Sequence, residues 1–154
     1  MTETQVRQRL GRPGSVVRRS RGFGRVYVEL QFDDGWFNVG LLGRAGRLRV
    51  VRIATVYDTE RTPQGFGVGT TERRLAATFR GRLRCARLVL GTFLGHTNVK
   101  SPTRECAVRS ASGATETVYV TAIPPPLNEI ALEPAKWRPR ARVLEMVVRD
   151  AGFR

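Results

Sequence analysis

From Arg25 the sequence alternates with period two. Val26, Val28, Leu30 and Phe32 fall on one side, and Arg25, Tyr27, Glu29 and Gln31 on the other. Successive side chains of an extended chain point to opposite faces, so the pattern specifies a half-buried β-strand. Asp33-Asp34-Gly35 follows, with Asp-Gly a strong hairpin signal, and Trp36 to Leu42 reads as the returning strand. Gly43-Arg44-Ala45-Gly46 turns the chain again into Arg47 to Tyr57. There the alternation slips at Val50-Val51, as it does at a β-bulge.

Further along, Thr62-Pro63-Gln64-Gly65 is a turn, and Gly65, Gly67 and Gly69 weaken any regular element. Thr71 to Phe79 is open between helix and strand, with Leu75 and Phe79 at helical spacing. Arg82 to Leu94 reads as a strand with an irregularity near Ala86, Arg104 to Arg109 as a short strand, and Thr117 to Ile123 as an alternating one. Pro124-Pro125-Pro126 ends the sheet, because proline donates no ladder hydrogen bond. Beyond it, Pro139 suits a helical first turn. Val143, Leu144, Val147 and Ala151 form an apolar stripe at helical spacing, Glu145 and Arg149 an i,i+4 pair, and Gly152 a C-terminal cap.

The expected fold is mainly β: an antiparallel sandwich, a jelly roll or a partly open barrel of about seven or eight strands with one C-terminal helix. An α+β arrangement, with the helix packed on one sheet face, is the alternative. The expected divisions are a basic flexible arm over 1–22, with a helical turn around Thr4 to Leu10, a β domain over 23–123, and a polyproline linker with the packed helix over 124–154. At 154 residues the chain fits one domain able to bury its own core.

Charge bears most on function. The net charge is +14, carried by 25 arginines and only Lys100 and Lys136. Residues 1–87 hold 18 arginines against seven acids, +11, whereas residues 88–132 cancel to zero and 133–154 add +3. Such asymmetry predicts one basic face and a polyanionic partner. Arginine offers phosphates a planar fork and offers bases a stacking face.

Enzyme chemistry is thinly represented. His96 is the single histidine and stands in a loop by composition. Cys85 and Cys106 lack the spacing of zinc ligands, and whether they pair is left open. Asp33 and Asp34 are explained by the turn they occupy. Gly65-Phe66-Gly67-Val68-Gly69 lacks the Gly-Lys-Ser/Thr ending of a phosphate loop. Gly43-Arg44-Ala45-Gly46 matches the GXXG of a KH domain, but its flanks read as strands where that loop needs helices. Arg21, Gly22, Phe23, Gly24 and Val26 match the RNP1 pattern of an RNA recognition motif. Arg25 and Val28 replace its aromatics, and RNP1 belongs on a third strand, so the stretch is read as an arm entering a first strand.

The expectation is therefore a non-enzymatic nucleic-acid-binding protein, RNA ahead of DNA, with no cofactor and no metal. Its candidate contacts are Arg7, Arg9, Arg12, Arg18, Arg19 and Arg21 on the arm, then Phe23, Arg25 and Tyr27 as a stacking row. Arg44, Arg47, Arg49 and Arg52 follow, and Arg80, Arg82 and Arg84 form a ladder if that segment is extended. The alternative is a small viral or phage structural subunit, a coat, cement or connector protein, with a basic genome-facing arm and a homo-oligomeric contact. No run of about 18 apolar residues is present and the N-terminal segment lacks an apolar signal core, so no membrane partner is expected and the expected location is intracellular or in a virion.

Overall fold

The computed structural model describes residues 1–87, 103–122 and 141–153. In chain order it contains α1 (Glu3–Leu10), β1 (Ser15–Ser20), β2 (Arg25–Phe32), β3 (Phe37–Arg44), β4 (Arg47–Thr55), α2 (Glu72–Phe79), β5 (Arg84–Arg87), β6 (Thr103–Arg109), β7 (Thr115–Ala122) and β8 (Arg142–Asp150). All eight strands join one antiparallel sheet in the order β1-β2-β3-β4-β8-β7-β6-β5. The fold is mainly β, as expected, but its strands form one sheet that does not close into a barrel. There is no second sheet to make a sandwich or jelly roll among the described residues.

Both helices cover the same sheet face. The side chains that alternate inward from β2, Val28, Leu30 and Phe32, meet Val39 and Leu41 of β3 and Leu48 of β4, and Val6 of α1 closes over them. Thr2 caps α1 through a reciprocal exchange with Gln5, which satisfies two of its free N-terminal amides. On the other half, Leu75 of α2 and Phe66 pack against Cys106, Val108, Tyr119, Val143 and Met146. The Thr71 hydroxyl accepts the Arg74 amide at 3.2 Å, which starts α2 and resolves the ambiguous 71–79 segment as helix.

β4 carries the expected bulge: Leu41 pairs with Val50 and Gly40 with Arg52, leaving Val51 extra. β5 and β6 set Cys85 opposite Cys106, and the two form a disulfide across a Cα separation of 4.0 Å. This ties the edge strand to its neighbour.

Two expectations meet different structure. Residues 1–22, read as an arm, hold α1 and β1, and β1 pairs with β2 along its whole length. The C-terminal helix is instead β8. Val143, Leu144 and Val147 of its stripe lie in a central strand between β4 and β7 whose middle, residues 143–147, is largely buried on both faces, and Ala151 follows in the turn. Such a strand reads as a continuous apolar run, which a helical template also fits. Pro124 to Pro126, Pro139, His96 and the 88–94 part of the predicted strand lie outside the described residues.

Candidate nucleic-acid interface

The sheet face opposite the helices carries the charge. Strand pairing orders its side chains into rows, with neighbours about 4.8 Å apart across strands and about 7 Å apart along them. At one end Arg25, Arg44 and Arg47 stand opposite one another on β2, β3 and β4. The next row holds Arg19, Tyr27, Leu42 and Arg49. All five arginines are exposed. Among the described residues no carboxylate comes within 4.0 Å of any of them.

Towards the sheet centre the charges become paired. Arg52 lies between Glu29 at 3.7 Å and Glu145 at 3.2 Å, and Arg149 between Glu105 at 2.7 Å and Glu116 at 2.9 Å. Glu145 is only 1 % exposed. Burial pushes its carboxyl up from 4.5 to about 7 against the pull of Arg52, and the nearby Glu29 and Glu105 carboxylates add to the rise. Arg52 is thus half-buried and engaged in the ion-pair row, away from the open arginines.

Tyr27 lies beneath the basic end and is 6 % exposed. Its hydroxyl donates to Glu29 at 2.9 Å. Burial, then the charge and hydrogen bond of Glu29, push its phenol up to about 12. The Arg21 guanidinium sits 5.5 Å from its ring centroid, and the Phe153 ring stacks on it at 5.5 Å. Tyr27 therefore supports the surface from below and leaves no free face for a base.

Gly40, across β3, makes room for that ring. A Cβ at Gly40 would stand 2.5 Å from the Tyr27 hydroxyl oxygen and 3.0 Å from a ring carbon. Gly40→Ala is expected to destabilise the fold by about 1–3 kcal/mol, since overpacking forces the ring or the strand to shift. Denaturant unfolding of the two proteins measures it.

Phe23 does not share the Arg25 and Tyr27 face, because β2 begins only at Arg25. It occupies the tip of the β1–β2 turn, 99 % exposed, with φ of 50° between Gly22 at 75° and Gly24 at 69°. A bulky residue there is unusual. Of the two aromatics in the expected stacking row, the accessible one is thus Phe23.

The remaining candidates are dispersed. Arg7 is on α1, over the other face, and pairs with Glu3 at 2.8 Å; Arg18 lies 3.8 Å from the same carboxylate. Arg9 ends α1 and Arg12 follows it, both exposed. Arg80 and Arg82 lie in a 3-10 turn after α2, and only Arg84 is on a strand, so they form no ladder. Arg82 donates to the Arg109 carbonyl at 3.1 Å.

Sequence reasoning missed the Glu29–Arg52–Glu145 row, which depends on bringing β8 beside β4. It also missed β1, whose signal was Val16-Val17 between Gly14 and Gly22. Glu72, Cys85 and Cys106 bring potential ligand atoms within 4.8 Å of one another. Glu72, however, accepts from Arg104 at 2.8 Å and from the Thr121 hydroxyl at 3.0 Å, and the two sulfurs are bonded to each other.

No family model matches the chain, and no curated protein matches it. Its structure is similar to the crystal structure of an extracellular protein containing a SCP domain from Bacillus anthracis str. Ames, with a TM-score of 0.51 and 9 % sequence identity. The match covers 97 % of this chain and 43 % of that one, so the chain spans less than half the length of this neighbour, and the likeness is one of fold alone.

Proposed function

We propose that the protein is a non-enzymatic nucleic-acid-binding protein, RNA ahead of DNA, that holds phosphates on the basic end of its open sheet face. The observation that carries the reading is the pair of rows containing Arg19, Arg25, Arg44, Arg47 and Arg49, all exposed and without carboxylate partners among the described residues. Their spacing suits the successive phosphates of a strand laid across the sheet, and each contact releases bound counterions. Phe23 at the adjoining turn offers a stacking surface. The test is the affinity for single-stranded RNA and DNA between about 50 and about 200 mM salt. A steep fall with salt, and tighter binding of RNA, is expected; a flat response, or no binding at the lower salt, overturns the reading.

A second reading, a viral or phage structural subunit, draws on the outer edge of β1, which no strand covers among the described residues and where Val16 is 40 % exposed. Open edges pair with further strands. The Cys85–Cys106 bridge fits a particle or another oxidising setting better than a reducing cytosol. Sedimentation with and without nucleic acid separates the two: assembly supports the subunit role, and a strict monomer under both conditions rules it out.

A further inference from the structure

Among the described residues Phe23 is the most exposed large apolar side chain, at 99 %; Trp36 follows at 47 % and lies 6.1 Å from the Tyr57 ring. The turn that carries Phe23 is closed by two backbone bonds. The Arg21 amide donates to the Arg25 carbonyl at 3.0 Å, and the Arg25 amide to the Gly22 carbonyl at 2.9 Å. Its central residues, Phe23 and Gly24, both have positive φ, at 50° and 69°. Hairpin turns with two such residues favour Asn, Asp or Gly in the first place, because a Cβ crowds the backbone in the left-handed region. Phe23 therefore strains the turn, and with its ring in solvent no burial offsets the strain. Strain of this kind collects at functional sites.

The turn stands at the end of the sheet where Arg25, Arg44 and Arg47 form the outermost basic row. Arg21 is turned back over the Tyr27 ring, 5.5 Å from its centroid, which anchors one flank of the turn to the sheet. Phe23 is two residues from Arg25, at most about 7 Å along the chain. A nucleotide whose phosphate sits on Arg25 can thus bring its base to the ring.

Both faces of the Phe23 ring are open. A base stacks there only if its own face is free. Bases inside a duplex cover one another, and parting them carries an unstacking cost. An unpaired strand presents its base faces directly. We propose that Phe23 selects unpaired over duplex nucleic acid, stacking one unpaired base while the arginine rows hold the phosphates. The proposal rests on reading those rows as the nucleic-acid interface. The selection is by strandedness and not by sequence, since every base has a π-face.

The experiment measures binding of the full chain to a single-stranded RNA and to a long duplex of the same RNA, whose ends are a small share of its sites. The proteins are the unmodified chain, Phe23→Asn and Phe23→Tyr, between about 50 and about 200 mM salt. Phe23→Asn is expected to bind the single strand about tenfold more weakly, the share of one stacked base, and the duplex as before. Its salt slope should stay unchanged, because no phosphate contact is lost, and Phe23→Tyr should keep the native affinity. Asn suits the positive φ, so denaturant unfolding should give Phe23→Asn the higher midpoint. A lower midpoint would mean that the ring serves the fold, and overturns the proposal. Unchanged salt-dependent binding of the single strand by Phe23→Asn, or an equal loss on the duplex, overturns it and leaves the arginine-row reading standing. Phe23-dependent sedimentation with phosphatidylserine vesicles, beside unchanged single-strand binding, assigns the tip to a lipid surface and overturns it as well. If the unmodified protein binds neither RNA, both readings fall.

Discussion

Replacing Arg44, Arg47 and Arg49 together with alanine is expected to weaken binding to single-stranded RNA by about two to three orders of magnitude at about 50 mM salt. The slope of log affinity against log salt is expected to fall by about 2, because each lost phosphate contact on a single strand removes about 0.7. The three side chains are exposed and free of carboxylate partners among the described residues, so the fold should hardly register their loss. A matched variant shows whether place or total charge matters. Arg9, Arg12 and Arg73 are also exposed, on or beside the two helices of the opposite face. Removing those three changes net charge equally but should cost far less affinity. Equal losses in the two triple variants would mean that binding is diffuse and that the sheet face has no special part in it.

The second large effect is on stability. Glu145 is buried and its carboxyl is pushed up from 4.5 to about 7, chiefly by burial. Between those two values the folded state keeps the proton while the unfolded state has already released it. The folded form therefore binds more protons there, and stability falls as pH rises through the window. The contribution is fully present below 4.5, is lost by the time pH passes about 7, and is worth about 3 kcal/mol, at about 1.4 kcal/mol for each tenfold change in equilibrium. Glu145→Gln carries no titrating group. The stability difference between the two proteins, measured by denaturant unfolding across that window, should shift in favour of Glu145→Gln as pH rises. A difference that stays constant with pH would show that Glu145 is ionised in the folded protein throughout.

The residues show where such a fold can be read from sequence and where it cannot. Arg25 to Phe32, the Asp-Gly turn and the Val50-Val51 slip were legible because one face of each strand is apolar and its turns are chemically explicit. β1 was not, because Arg18 and Arg19 make an edge strand look like a solvated arm; its order comes from pairing with β2 along six residues. β8 was hidden because its middle is largely buried on both faces, which removes alternation. The arginines at the basic end were found by composition, but their division into open and paired groups was not. Arg52 differs from Arg49 because Glu29 of β2 and Glu145 of β8 stand beside it, the latter a contact between residues 93 apart in sequence. Tyr27 looked like a stacking residue until Arg21 and Phe153, from both ends of the chain, were found on its ring.

The sheet order has a consequence for how the molecule is made. β1 to β4 and β5 to β7 are each built from strands that neighbour one another in sequence, yet among the described residues the two sets touch within the sheet only through β8. During synthesis the first set can zip together early from short-range contacts, whereas the sets cannot join until the strand destined for the middle emerges. β8 then inserts between two waiting edges, β4 and β7, both open until that moment. Folding should accordingly be gated by a late, long-range step. The intermediate that precedes it, with unpaired edges exposed, is the species most prone to self-association.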